Sequence, residues 1–172
     1  MVECHGAERY GVPSPRAVPE VTSATVTDTA EPRIEIAQTA TDELVEAFAR
    51  LIPQLSTSSP PPALAELDAV ISDPNNAVFV ARLDGRIVGS VTLVTFCIPT
   101  GPKSWIEDVV VDDAARGHGI GELLNRAALD EARRRGVKAV SLTSRPSREA
   151  ANRLYRRIGF EHRETNYYRI DL

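Results

Sequence analysis

The chain is 172 residues long, 42% hydrophobic and carries a formal net charge of −4 at pH 7, values that fit one soluble domain with a real core and argue against general affinity for nucleic acid. Its two cysteines, Cys4 and Cys97, have no neighbours at metal-ligand spacing, which argues against both a disulfide framework and a metal site. No apolar run approaches the roughly 20 residues that a membrane span requires, and the first residues lack the basic-then-apolar order of a signal peptide, so a cytoplasmic protein with no membrane partner is expected.

Residues 1–31 are rich in Pro, Thr, Ser and Glu without a sustained apolar period. They are expected to form a flexible or extended tail ahead of a single domain over residues 32–172. Arg33 to Ala37 alternates as a short strand does. Thr41-Asp42-Glu43 then offers a cap and an acidic first turn, and Leu44, Val45, Phe48, Leu51, Ile52 and Leu55 recur at helical spacing. Ser56 to Pro62 interrupts that helix. Pro62 opens a second one, carrying Ala63, Leu64, Leu67, Val70 and Ile71 and ending near Asp73-Pro74. Ala77 to Leu83 is β-rich, Asp84-Gly85 signals a two-residue hairpin, and Ile87 to Ile98 resumes as a long strand. A loop at Pro99, Gly101 and Pro102 precedes Trp105, Ile106 and the run Val109-Val110-Val111. A strand with valines on both faces is expected to be central and covered on both sides.

The stretch from Ile106 to Gly121, IEDVVVDDAARGHGIG, joins that strand to a charged turn and a glycine-spaced helix start. A helix begun at Gly119 leaves its first backbone N–H groups without intrahelical partners, and their dipoles gather partial positive charge there. Gly117, Gly119 and Gly121 remove Cβ atoms that would hold a ligand off the backbone, and Arg116 adds donors suited to phosphate oxygens. The loop therefore reads as a pyrophosphate cradle. Lys and Arg against Asp and Glu number 7 to 13 over residues 1–103 but 13 to 11 over residues 104–172, so the basic excess lies in the half with the cradle. After it, Ile120, Leu123, Leu124, Ala127, Ala128 and Ala132 follow a 3.6-residue period, and Arg133-Arg134-Arg135-Gly136 ends the helix. Val137 to Leu142 is a further strand, parallel to the one before the cradle. Ser147 is the expected cap of a last helix with Ala150, Ala151, Leu154, Tyr155 and Ile158, and Phe160-Glu161 and Tyr167 to Ile170 are expected to supply the closing strands.

A Rossmann fingerprint needs G-x-G-x-x-G, and here the third glycine comes one residue early. The spacing instead resembles R-x-x-G-x-G, the coenzyme A pyrophosphate motif of the GNAT superfamily of N-acetyltransferases, on Arg116, Gly119 and Gly121. Ala151 to Phe160 resembles the second cofactor motif of the same superfamily, a helix bearing Leu-Tyr before Gly-Phe. The resemblance covers about residues 33–172. It implies an α+β fold, with a mixed, strongly twisted sheet of six to seven strands, about four flanking helices, and two parallel strands, 104–111 and 137–143, splayed around the cofactor. Many members place an Asn seven residues before the Tyr; this chain has Arg148 there, open to phosphate or water, with Asn152 one turn later. Ile106-Glu107-Asp108 is also weakly similar to the glucosamine-6-phosphate N-acetyltransferases.

The implied activity is transfer of an acetyl group from acetyl-CoA to a primary amine, with a small-molecule amine or amino sugar favoured. A protein lysine or N-terminus as acceptor, or a non-catalytic acyl-CoA-binding sensor, are the alternatives. Homodimers are frequent in the family. The cofactor contacts implied are Val109, Val110, Val111, Arg116, Gly117, His118, Gly119, Ile120, Gly121, Asn152 and Tyr155; Trp105, Glu107 and Asp108 would face the acceptor. Tyr155, whose phenol ordinarily has a pKa of about 10, keeps its proton at neutral pH and is the expected acid for the thiolate. Glu107 and Asp108 should point to opposite faces of their strand, so one of them is expected to face the acceptor; Glu107 is favoured as the base, directly or through a water, with orientation of the ammonium or pairing with an arginine as the alternative. A backbone N–H freed near Val109 or Val110 would serve the oxyanion.

Overall fold

The computed structural model describes residues 31–172; the expected tail lies outside these residues except for its last member. Five strands are present among them: β1 (Arg33–Ile36), β2 (Asn76–Leu83), β3 (Arg86–Ile98), β4 (Gly101–Val111) and β5 (Val140–Ser141), in that spatial order. The first three pairings are antiparallel and β4 pairs with β5 in parallel. Helices α1 (Asp42–Leu55), α2 (Leu64–Ser72), α3 (Ile120–Arg134) and α4 (Glu149–Arg157) complete the order. The sheet is thus mixed and flanked by four helices, with five strands in place of the expected six to seven. Residues 160–172 form no strand, and Tyr167, Tyr168, Ile170 and Leu172 are exposed. Alternating residues form a strand only when a neighbouring ladder accepts their backbone groups, and no such pairing reaches them.

The helices form where the sequence places caps and apolar periods. Thr41 Oγ1 accepts the Leu44 N–H at 3.3 Å and starts α1. Pro53 lies inside its last turn, where the lost donor affects only the helix end. At α2 the start is Ala63 rather than Pro62, and the Glu66 carboxylate accepts the Ala63 N–H at 2.8 Å. At α4 the residue before the first turn is Arg148 rather than Ser147, and it makes no side-chain cap. Asp84 and Gly85 both adopt positive φ, 52° and 75°, which matches the β2–β3 hairpin to the twist of its strands.

Two apolar layers sandwich the sheet. On one face Ile120, Leu124, Ala128 and Ala132 of α3 meet Ala77, Phe79, Val91, Leu93 and Ile106. On the other, Leu44, Ala47, Phe48, Leu51 and Ile52 of α1, with Leu67 of α2, meet Val78, Val80, Ile87 and Val110. Ile106 and Val110 would share a face in a regular strand, four residues apart. They separate because Ser90 pairs with Val110 and Thr92 with Glu107, so Asp108 and Val109 together oppose Val91. This β-bulge turns on Asp108 at φ 52° and breaks the two-residue period at Asp108–Val109; Glu107 and Asp108 are both exposed.

α4 lies against the first turn of α3. A Cβ built on Gly121 would stand 3.2 Å from Leu154 Cδ2 and 3.8 Å from Val111 Cγ2, so a bare Cα is what lets the helices approach. Arg157 then donates to Glu122 at 2.9 Å. Gly121→Val is expected to lower stability by about 1–3 kcal/mol by forcing α4 away. The cavity-forming Leu124→Ala is expected to cost about 2–5 kcal/mol. Denaturant titration of both variants checks these values.

Candidate active site

The loop between β4 and α3 is assembled by short-range hydrogen bonds. Asp112 closes the ladder through its N–H on Val88 O at 2.8 Å, and its carboxylate accepts the Ala114 N–H at 3.1 Å to set a 3-10 turn over Asp113–Ala115. Gly117 and Gly119 then take φ of 88° and 72°. A residue with a Cβ would pay roughly 1–2 kcal/mol at each of these left-handed positions. The first N–H to close a helical bond is that of Glu122, on Gly119 O at 2.9 Å, so the N–H groups of residues 117–121 precede the intrahelical ladder. A Cβ built on Gly117 or Gly119 meets nothing within 4 Å. The cradle therefore opens onto free space at these two glycines, and backbone N–H groups ahead of a helix suit a pyrophosphate. Gly121 differs from the other two, because its missing Cβ makes room for Leu154 rather than for a ligand.

The side chains around the loop divide between holding it and facing outward. His118 Nδ1 lies 3.2 Å from both Ala115 O and Arg116 O, so its ring is folded back onto the loop and it offers the site only its backbone N–H. Arg116 is exposed and pairs with the Asp113 carboxylate. Ile120 is buried under the helix and anchors its first turn.

Beside the cradle, β4 and β5 pair only at Ser104–Val140 and Trp105–Ser141. From Ile106 to Val111, β4 continues without a β5 partner, so the two parallel strands part at Trp105. The expected strand over 137–142 is reduced to Val140–Ser141 for this reason, and Val137 enters the core instead of a ladder. Val109 and Val111 pack toward α3, and Val110 is buried toward α1. Partial burial and then the adjacent Asp108 carboxylate raise the Glu107 pKa from its ordinary value. Tyr155 is half-buried, its ring edge-on to Phe160 with centroids 5.8 Å apart. Burial raises its pKa, and the Arg148 cation offsets part of that rise, so the phenol keeps its proton at neutral pH.

Two expected contacts go elsewhere. Asn152 Nδ2 donates to Arg145 O at 2.9 Å and secures the segment entering α4. The Arg148 guanidinium, expected on phosphate or water, donates to Leu55 O at 2.7 Å, at the end of α1. Gln54, which no motif marks, accepts the Asp113 N–H at 2.9 Å and ties the same helix end to the segment before the cradle. These bonds join residues 59 and 93 positions apart, beyond the reach of any local pattern. A shallow pocket of about 370 Å³, lined by Ser144, Glu149, Arg153, Arg156 and His162, includes Asn152 but none of the other expected site residues. Asn152, Arg153 and Arg156 reach it from the side of α4 away from Leu154, so it stands apart from the cradle.

Comparison with known proteins agrees with this arrangement. The profile of the acetyltransferase (GNAT) family matches residues 39–160. An uncharacterized N-acetyltransferase of Escherichia coli, YjgM, is 33% identical over 104 residues, which are 59% of this chain and 60% of that protein's length. Glucosamine 6-phosphate N-acetyltransferase 1 of Oryza sativa is 33% identical over 60% of this chain and 68% of its own. The solved structure of an acetyltransferase from Agrobacterium tumefaciens superposes with a TM-score of 0.70 at 25% identity, covering 81% of this chain and all but 1% of that one. The chain spans less than two thirds of the length of the first of these relatives. With a family profile that spans most of the chain and a sheet parted beside an open cradle, the protein belongs to the acetyltransferase (GNAT) family.

Proposed function

We propose that a single domain over residues 32–172 transfers an acetyl group from acetyl-CoA to a primary amine, with a small molecule as acceptor. The observation that carries the reading is the open cradle at Gly117 and Gly119 beside the point where β4 and β5 part. The backbone N–H groups of residues 117–121 would hold the pyrophosphate, with Arg116 free to leave Asp113 for it. Val109, Val110 and Val111 would line the path of the pantetheine arm.

When bound, acetyl-CoA supplies an activated acetyl group whose transfer forms an N–C bond and breaks the C–S bond. Glu107 takes the proton that the amine must lose, directly or through water, and its raised pKa brings it closer to that task at neutral pH. Tyr155 gives its proton to the departing sulfur, which suits a phenol held protonated by burial. A backbone N–H in the bulged segment at Asp108–Val109 donates to the carbonyl oxygen as it gains charge, a contribution of about 3–4 kcal/mol for one such donor. Trp105, at the parting of the strands, and Asp108 would border the acceptor.

The similarity to the Oryza enzyme makes an amino sugar one acceptor class to test. A second reading, a protein lysine or N-terminus as acceptor, is favoured by the exposure of Glu107 and Asp108. An amine panel that includes amino sugars and lysine-containing peptides separates the two by their kcat/KM values.

Acetyl-CoA is expected to raise the melting temperature, and Gly119→Glu to abolish that rise by filling the cradle with a repelling carboxylate; no rise at millimolar ligand overturns the reading. Turnover is expected to increase as pH rises through the elevated pKa of Glu107 and to fall as pH passes the elevated pKa of Tyr155. Glu107→Gln removes the acidic limb. Tyr155→Phe lowers kcat by about 10²–10⁴-fold with little change in cofactor affinity, as isothermal titration and steady-state rates would record.

A further inference from the structure

The last turn of α1 touches both segments that leave the parted strands. Gln54 Oε1 accepts the N–H of Asp113, just beyond β4, and Leu55 O accepts the guanidinium of Arg148, between β5 and α4. Neighbouring residues at one helix end thus bridge the carboxyl ends of two parallel strands that have separated between them. Arg148 also immediately precedes α4, about two helix turns before Tyr155.

We propose that Arg148 is a positioning residue that locks the end of α1, and with it the α1–α2 segment, to the helix bearing Tyr155 across the mouth of the cleft. The inference deepens the acetyl-transfer reading and rests on Tyr155 as its acid. Leu55 O is one of the terminal carbonyls that a helix leaves unpaired, and α1 has no basic residue in its own last turn. Arg148 supplies that cation from a segment 93 residues away, so the contact carries tertiary information that a local cap would not. The same guanidinium is the charge that acts on Tyr155; Phe160, in contact with the phenol ring, is uncharged. A cation near the phenol favours its ionised form, which makes Tyr155 a better proton donor than burial alone would allow. One side chain therefore couples closure on the acceptor side to the acid on the donor side.

The experiment uses the full chain with Arg148→Met and Arg148→Lys. The phenol of Tyr155 is followed by NMR with ring-labelled tyrosine, its signal assigned by its loss in Tyr155→Phe. Removing the cation is expected to move the Tyr155 titration, and the alkaline limb of kcat with it, to higher pH. The plateau of kcat should fall about tenfold and KM for the amine should rise, while the Kd for coenzyme A stays unchanged. Arg148→Lys, which keeps the charge and shortens the reach, should restore the limb but not KM. If Arg148→Met lowers the melting temperature and leaves the Tyr155 titration and KM in place, Arg148 is only a helix cap and the proposal falls. Should Tyr155→Phe retain full turnover, the acid assignment fails separately, and the NMR titration in Arg148→Met still decides whether the two residues are coupled.

Discussion

The placement of the first turn of α3 is the constraint on which the site depends. Its axis is held by Ile120, Leu124, Ala128 and Ala132, a ridge at four-residue spacing that is almost completely buried against the sheet. Each buried Leu or Ile contributes on the order of 1.5–3 kcal/mol, so the helix has little freedom to swing. Its amino end is thereby aimed at the point where β4 ends, and the dipole and unpaired N–H groups arrive there whether or not a ligand is present. Gly121 brings Leu154 of α4 against the same turn, so the two cofactor motifs are joined by a packing contact as well as by order in the chain.

A second constraint is the bulge in β4. A strand covered on both faces normally presents alternate residues to each layer, and Ile106 and Val110 would compete for one face. The extra residue at Asp108–Val109 sends Ile106 to the α3 layer and Val110 to the α1 layer. It does so beside the end of the short β4–β5 ladder, where the backbone is already free of a partner on that side. The irregularity that serves core packing thus falls on the same stretch of β4 that runs without a β5 partner. Positive φ at a residue bearing a side chain is costly, and such strain is often concentrated where a site is built.

The end of α1 supplies the remaining fixed point. It is bonded on one side to the segment after β4 and on the other to the segment before α4. The cradle, the parted strands and the helix bearing Tyr155 therefore share one support.

Much of this was legible in the chain of residues. The apolar periods of α1 and α3, the Thr41 cap, the Asp84-Gly85 hairpin and the glycine spacing after Arg116 are local signals. They act through dihedral preference, capping and burial of one helix face, all of which neighbouring residues determine. What the local pattern missed arises between distant segments. The bulge at Asp108 follows from two layers competing for β4, and the shortness of β5 from the parting of its neighbour. The partners of Arg148, Gln54 and Asn152 were set by where loops meet, and the alternation at residues 167–170 was not enough to form a strand without a ladder to join. By itself the sequence determined the helices, the first four strands, their order and the glycine turn after Arg116, because those depend on periodicity and backbone freedom within a few residues. Only the tertiary structure decided which layers Ile106 and Val110 enter and what Arg148 holds, because hydrogen bonds and packing between remote residues have no period to be read.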